Sequence, residues 1–396
     1  MKVEGAAKGE IKVCDGNRAA AYGVLLSKPN VVAIYPITPQ TSLIEYLTEF
    51  KASGLLNAEI VEVEGEISAM GVAIGTSLAG GRTFTATSSM GLNFMFDTYF
   101  MASLSRVPVV MVNANRELSP AAVSAGQQDI MSVADTGWVH IHTEGCQEIL
   151  DSIIMAYKLA EAPEVLLPVT VCYDGFYLSY LAEPIKIPSQ EDVDRFLPQI
   201  PRPRLGLDPP MSGASTMIPE ELTEARYKHQ AALERAKSKI EEVDKEFDGL
   251  FGRSYGGLIE EYRMDDAEIA LVSMGSHTGT ARAAVDKKRQ QGHQVGLIKV
   301  RVFRPFPWER LAEALRHKKA VGVIDRSICF GWNCGHLFHE LQVTLHRTGF
   351  TTPTLDFIDG LGGGDVTMVH IERAIDITHD ASRGKPFNEL TWLALE

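Results

Sequence analysis

An α/β chain is predicted, a doubly wound parallel sheet followed by a second α/β unit, and three observations carry that prediction. Continuous apolar runs of strand length recur, the first of them V-V-A-I-Y at 31–35, with the hydrophobicity of parallel strands buried on both faces. Single helix-length segments separate these runs, as parallel neighbours require. Turn residues punctuate the strand ends: Pro36 and Pro39 stop the first run because neither can donate to a ladder.

Taken in order, Gly16–Ser27 reads as a helix of small residues, and Val31–Tyr35 as the central strand just named. Thr38 and Pro39 then offer an N-cap and first helical position, with Ser42 and Glu45 as a second, capping-box start. Glu59–Val63 is a strand, Glu66–Leu78 a helix rich in Ala and Gly, Arg82–Thr87 a strand and Gly91–Ser103 a helix. Pro108–Asn113 is a strand, Asn115–Asp129 a loop, Gln147–Glu161 a helix, and Leu166–Asp174 closes the set. Between Pro184 and Pro219 prolines are dense and periodicity is lost, which reads as a linker or a surface strap. Glu220–Phe251 is one long charged amphipathic helix with a solvated face. The second unit has strands at Ile269–Met274, Gln294–Val302, Ala320–Asp325 and Thr354–Ile358. Its helices lie near Thr278–Gln291, Trp308–Lys318, His336–Gly349 and Thr367–His379. The expected divisions are therefore 1–183, 184–265 and 266–396. G-L-G-G-G at 360–364 does not fit G-x-G-x-x-G before a helix and has no Lys-Ser/Thr behind it, so it reads as a turn.

Composition narrows the function. A net charge of −13 over 396 residues argues against a nucleic-acid or anionic-membrane surface. No apolar run approaches the length of a membrane span. Charged and small residues mix in the first ten, so no signal peptide is expected. Five scattered cysteines, an odd count, point to reduced thiols in the cytoplasm. Cys329 and Cys334 do not have a good zinc spacing, no cysteine run could hold an iron–sulfur cluster, and no metal ligand set is expected on this chain.

Three residues stand where chemistry belongs. Thr38 falls at the carboxyl end of a strand beside a helix, where open α/β sheets bind ligands. Glu62, Glu64 and Glu66 alternate at a strand-to-helix junction, and Gly65 puts Glu66 at the helix start, where the dipole stabilises a carboxylate. Arg116 follows another strand and offers a fixed bidentate partner for a carboxylate. Each has a structural alternative: an ordinary β–α turn, a helix-terminal charge, a surface salt bridge.

Their motifs recur together. Y-P-I-T-P-Q-T (35–41), V-E-G-E-I-S-A-M (63–70), T-F-T-A-T-S-S-M-G (83–91), V-V-M-V-N-A-N-R (109–116) and D-T-G-W (135–138) appear in that order. V-R-V-F-R-P-F-P (300–307), D-R-S-I-C-F-G (325–331) and G-L-G-G (360–363) follow. The whole chain resembles the α subunit of the thiamine-diphosphate-dependent 2-oxoacid:ferredoxin oxidoreductases, a family that includes pyruvate synthase. That resemblance implies a thiamine pyrimidine-binding domain followed by one of transketolase C-terminal type. It implies that Glu66 contacts the aminopyrimidine ring and does acid/base work there. Cofactor contacts are implied at Pro36, Ser89 and Met90 as well. Arg116 would clamp the substrate carboxylate and Thr38 would hydrogen-bond its oxygens. Coenzyme A would be the co-substrate. With no G-D-G…N-N motif, magnesium and the diphosphate must lie on a partner β subunit. Electrons would leave through iron–sulfur clusters on other subunits (γ, a ferredoxin-like δ), to ferredoxin or to an NAD-linked flavin subunit carrying FAD.

One segment departs from the family pattern. Where relatives carry bulky aromatic and charged residues after the arginine, this chain has Ala121, Ala122, Val123, Ser124, Ala125 and Gly126. Lost bulk leaves room for a substrate larger than pyruvate, with phenylglyoxylate the leading candidate. The alternative is that another subunit or a rearranged loop refills the space, leaving pyruvate as substrate. A transketolase-like transferase would need the missing diphosphate motif on this chain, and a non-catalytic scaffold would not need Thr38, Glu66 and Arg116 together.

Overall fold

The computed structural model describes residues 9–118, 122–199, 201, 204–206 and 216–395. An antiparallel ribbon of β1 (Glu10–Cys14) and β8 (Glu183–Ile187) ties the two ends of the first unit together. Between them run β2 (Val31–Ile34), β3 (Glu59–Glu62), β4 (Thr83–Thr87), β5 (Val110–Asn115), β6 (Val139–His142) and β7 (Val169–Asp174). These pair in parallel in the order β6-β7-β5-β4-β2-β3. Every residue of β4, β5, β6 and β7 is buried, the pattern of a sheet covered on both faces. From β2 the chain goes to β3 on one side and returns as β4 on the other. That reversal opens a crevice at the carboxyl ends of β2 and β4.

The second sheet comprises β9 (Ile259–Tyr262), β10 (Ile269–Ser273), β11 (Val295–Val300), β13 (Ala320–Asp325), β14 (Thr354–Ile358) and β15 (Leu390–Trp392), in the order β15-β14-β13-β10-β11-β9. Its own reversal lies between β10 and β13. The remaining strand, β12 (Val302–Arg304), leaves this unit and pairs antiparallel with β6 of the first sheet.

Several expectations need correction. The helix after β2 runs Thr41–Ala52 and begins neither at Pro39 nor with a Ser42 cap. A turn closed by Gln40 N–H on the Ile37 carbonyl (2.9 Å) comes first, the Thr38–Pro39 bond is cis, and Ser42 Oγ accepts from Asn17 Nδ2 at 2.7 Å. The segment after β4 forms two helices, Met90–Phe94 and Phe96–Leu104, interrupted at Met95. The proline-dense stretch carries β8 and a helix over Gln190–Phe196, whose Ser189 cap accepts from Asp192 N–H. The single strand expected at 294–302 is divided because Arg301 turns into the first unit. Its guanidinium donates to Glu148 Oε1 (3.0 Å), Ser152 Oγ (2.9 Å) and the Gly257 carbonyl (3.0 Å). Strands β1, β6, β9 and β15 were not foreseen.

The long helix Pro219–Phe251 buries His229, Ala232, Ala236, Ile240, Val243, Phe247 and Phe251 at helical spacing. Phe247 and Phe251 meet Phe196 edge-on, with centroids 5.2 and 5.9 Å away.

The carboxyl edges of the two sheets are pinned to one another. Asp174, the last residue of β7, enters the β10–β13 reversal and accepts from Arg326 Nη1 at 2.8 Å and Ser276 N–H at 2.9 Å. Both side chains of the ion pair are almost wholly buried. Burial pushes the Asp174 carboxyl up, but Arg326, Ser276 and His277 outweigh it and hold it below its ordinary value. Arg326→Met should therefore destabilise the protein by about 3–5 kcal/mol, because it strands a buried carboxylate. Urea unfolding measures this, and an unchanged midpoint would show that the pair does not hold the units together.

Candidate active site

The first-sheet crevice gathers the candidate residues from four adjacent strands. Arg116, just past β5, is 8% exposed, and its Nη1 donates to the Thr38 carbonyl beyond β2 at 2.9 Å. Its Nε is buried without a hydrogen-bond partner among the described residues. Thr38 and Pro36 are exposed at the rim. Glu66 begins the helix after β3 and is 5% exposed. Its carboxylate lies over Gly91, where a Cβ would stand 2.4 Å from Glu66 Oε1 and 2.5 Å from Thr87 Oγ1. A side chain there would make Glu66 or Thr87 move.

Ser89 shapes the turn that brings Gly91 to Glu66. It is fully buried with φ 51° and ψ −126°, a conformation that L-residues adopt only when their surroundings impose it. Its N–H donates to Asp129 Oδ2 at 3.0 Å and its Oγ to the Glu117 carbonyl at 2.6 Å. Met90 starts the following helix, half-buried.

Asp129 organises the crevice, and the sequence did not single it out. The same Oδ2 also accepts from Asn113 Nδ2 (2.9 Å) and Arg116 N–H (3.1 Å), while Oδ1 accepts from Ile130 N–H (2.8 Å). Burial pushes its carboxyl up to about 6 against these four donors. The signal was the polar run Gln127-Gln128-Asp129 ending an otherwise apolar loop. Gln127 and Gln128 anchor that loop in the second unit. Gln127 Nε2 donates to the Met274 carbonyl (3.1 Å), and Gln128 pairs through both side-chain atoms with Ile328.

Of the expected substrate wall, Ala121 lies outside the described residues. Ala122 and Ser124 are half-buried, Val123 is 62% exposed, and Ala125 and Gly126 are buried. Ala125 forms an antiparallel bridge with Arg116. The structure thus joins Thr38, Arg116 and this wall by direct contact, and Glu66 to Thr87 and Gly91 two strands away along the same edge. A cavity of about 840 Å³ between the units includes none of Thr38, Glu66 or Arg116 in its lining. Its Arg282 and Lys299 are paired with Glu144, Glu148 and Glu260.

Unsatisfied polar atoms mark where a ligand fits. Gln40 Oε1, Thr87 Oγ1, Asn113 Oδ1, Asn115 Nδ2 and Arg116 Nε are all buried, all without partners among the described residues, and all at the carboxyl edge of β2, β4 and β5. Buried polar groups ordinarily find partners, so these residues suit a polar ligand set against the strand ends, beside the Glu66 carboxylate.

Residues 22–245 match the family model described as pyruvate flavodoxin/ferredoxin oxidoreductase, thiamine diphosphate-binding, and residues 267–371 match pyruvate:ferredoxin oxidoreductase core domain II. The chain belongs to the 2-oxoacid:ferredoxin oxidoreductase α-subunit family. The resemblance seen in its motifs is borne out. It is 46% identical over 389 residues to pyruvate synthase subunit PorA of Methanothermobacter thermautotrophicus, covering 98% of both chains. It is 43% identical over 387 residues to the α subunit of NADH-dependent phenylglyoxylate dehydrogenase of Aromatoleum evansii, covering 95% of this chain and 93% of the other. Among solved structures, 2-oxoglutarate:ferredoxin oxidoreductase from Magnetococcus marinus shares the fold with a TM-score of 0.71 at 20% identity. That match covers 93% of this chain and 65% of that one. An inactive split-gene transketolase β4 tetramer has a TM-score of 0.55 at 13% identity, covering 91% of this chain and 97% of its own. Within this family the chain is a subunit of a thiamine-diphosphate oxidoreductase. No helix among the described residues is long and apolar enough to cross a membrane.

Gly91→Ala should displace the Glu66 carboxylate and weaken thiamine diphosphate binding on the order of 10–100-fold, measured by cofactor titration of the assembled enzyme. An unchanged affinity would remove the Glu66–Gly91 seat from the site. As pH falls through about 6, Asp129 takes up a proton and loses one of its N–H partners. The acid limb of kcat/KM should therefore have its midpoint there and should disappear in Asp129→Asn.

Proposed function

We propose that this chain is the α subunit of a coenzyme A-acylating 2-oxoacid:acceptor oxidoreductase and carries the pyrimidine half of a shared thiamine diphosphate site. The observation that supports this most strongly is the Arg116 guanidinium, a buried cation at the β2–β4 reversal whose Nε has no partner among the described residues. A buried cation of fixed fork geometry is suited to a carboxylate. Arg116 takes the substrate carboxylate, and Thr38, held beside it, orients the oxygens at the rim. Glu66, poised over Gly91 at a helix N-terminus, holds a proton at the edge of the aminopyrimidine. Thiamine diphosphate, when bound, supplies the carbanion chemistry that releases carbon dioxide.

The rest of the machine belongs to partner chains. On the Glu66–Leu78 helix, Ile67, Gly71 and Gly75 are exposed one turn apart, a flat apolar face beside Glu66 on which a partner helix packs closely. We assign that partner the magnesium and the diphosphate. Iron–sulfur clusters sit on further γ and ferredoxin-like δ subunits, and the acceptor is ferredoxin or an NAD-linked flavin subunit with FAD. The complex works in the cytoplasm.

For the substrate, we propose an aryl 2-oxoacid such as phenylglyoxylate. Among residues 122–126 the largest side chain, Val123, points its bulk to solvent at 62% exposure, so this wall offers no large side chain to Arg116. Pyruvate is the second reading, supported by the close packing of Ser124 on the second unit, which accounts for small residues without a wide pocket.

Arg116→Ala should cost about 3–5 kcal/mol of substrate binding, since it leaves the carboxylate unpaired in a dry site. The KM of the assembled complex for each acid measures this, and an unchanged KM for the preferred acid would exclude the clamp. Better turnover of pyruvate than of phenylglyoxylate would decide for the second reading.

A further inference from the structure

The wall beside Arg116 is backed by the other unit. Ala122–Ala125 lies between the Arg116 segment and the turn at residues 360–364. On the inner side, Glu117 N–H donates to the Ser124 carbonyl (3.1 Å) and Ala125 bridges Arg116. On the outer side, a Cβ on Gly363 would stand 2.2 Å from Ser124 Cβ and 3.4 Å from Ala125 N, and one on Gly362 would stand 3.5 Å from Ala122 Cβ. This backing cannot easily retreat. Arg326 Nη2 donates to the Gly360 carbonyl (3.3 Å), and Tyr177 Oη, from the first unit, donates to the Gly363 carbonyl (3.3 Å) and to Asp365. Asp359 accepts from Gly360 N–H at 2.9 Å.

We propose that the Gly362–Gly363 turn is a specificity determinant of the first unit's site, because it sets how far the Ala122–Ala125 wall stands from Arg116. The proposal rests on the 2-oxoacid reading of that site. A methyl group at 363 drives Ser124 toward Arg116 and narrows the room for the substrate side chain. Removing the Ser124 side chain lets the wall fall back. Both residues act through wall position, Gly363 from behind the wall and Ser124 within it.

The test is a double-mutant cycle in the assembled complex, reading the ratio of kcat/KM for phenylglyoxylate to that for pyruvate. Gly363→Ala should lower the ratio about tenfold, the discrimination that one methylene-sized change supports. Gly363 has φ +84°, so alanine there is strained whatever it touches. The Ser124→Gly background separates that strain from the contact, because both arms of the cycle carry it. With Ser124→Gly present, the same substitution should change the ratio by no more than about twofold, the ordinary limit for uncoupled sites. A ratio unchanged in Gly363→Ala, or lowered equally in both backgrounds, overturns the proposal. If Gly363→Ala does not fold, Ser124→Gly alone must raise the ratio, and an unchanged ratio overturns it. If the wild-type complex uses neither acid, both proposed substrates fail separately. Hydrogen exchange over residues 117–129 then decides the contact: faster exchange in Gly363→Ala sustains it, and unchanged exchange refutes it.

Discussion

Everything in the active crevice depends on two carboxyl edges being held face to face. The Asp174–Arg326 pair does this at the one place where each unit can offer something the other lacks. β7 ends with a carboxylate, and the β10–β13 reversal presents an arginine and the amide of Ser276. A buried pair of this kind contributes little net stability compared with apolar packing, yet removing one partner is costly. It therefore sets arrangement more than it adds strength. Because these edges meet, residues 122–128 of the loop after Arg116 have a second-unit surface on their outer side.

Within the crevice, order comes from a single oxygen. Asp129 Oδ2 gathers donors from three segments: the strained Ser89 turn, the β5 strand through Asn113, and the Arg116 backbone. Ser89 in turn places Gly91 under Glu66. The Glu66 end and the Arg116 end of the crevice are thus set from a common point, although they follow different strands. Gln127 and Gln128, the two residues before Asp129, are hydrogen-bonded to the second unit. A shift between the units is felt at both ends of the site.

Much of this was readable in the sequence because it is local. Helices Gly16–Ser27 and Glu66–Leu78 and strands Ala320–Asp325 and Thr354–Ile358 appear with the bounds their periodicity implies. Arg116 was visible because a charged residue directly after a buried strand has few places to go, and Glu66 because Gly65 ends the extended run and leaves it at a helix start. What could not be read is what depends on distant partners. Val139–His142 looks half-polar, yet both of its histidines are buried. Burial holds His140 well below its ordinary value and brings His142 to about 4, so both stay neutral. Asp129 draws its meaning from residues 13 to 40 positions away. The 360–364 turn was recognisable as a turn, but nothing nearby in sequence names Ser124 as its neighbour. The helix start after β2 was misplaced because Ser42 serves Asn17 instead of its own helix.

The return of β12 to the first sheet bears on how the chain is made. Until Val302–Arg304 has left the ribosome, β6 presents an unpaired edge, and Arg301 cannot reach Glu148. An open strand edge is a template for wrong pairing, and a contact closed over so long a stretch of chain forms late. The first unit's sheet is thus completed by a strand from outside it. Its last strand comes from the second unit, and synthesis must pass well beyond the charged helix before that sheet is finished.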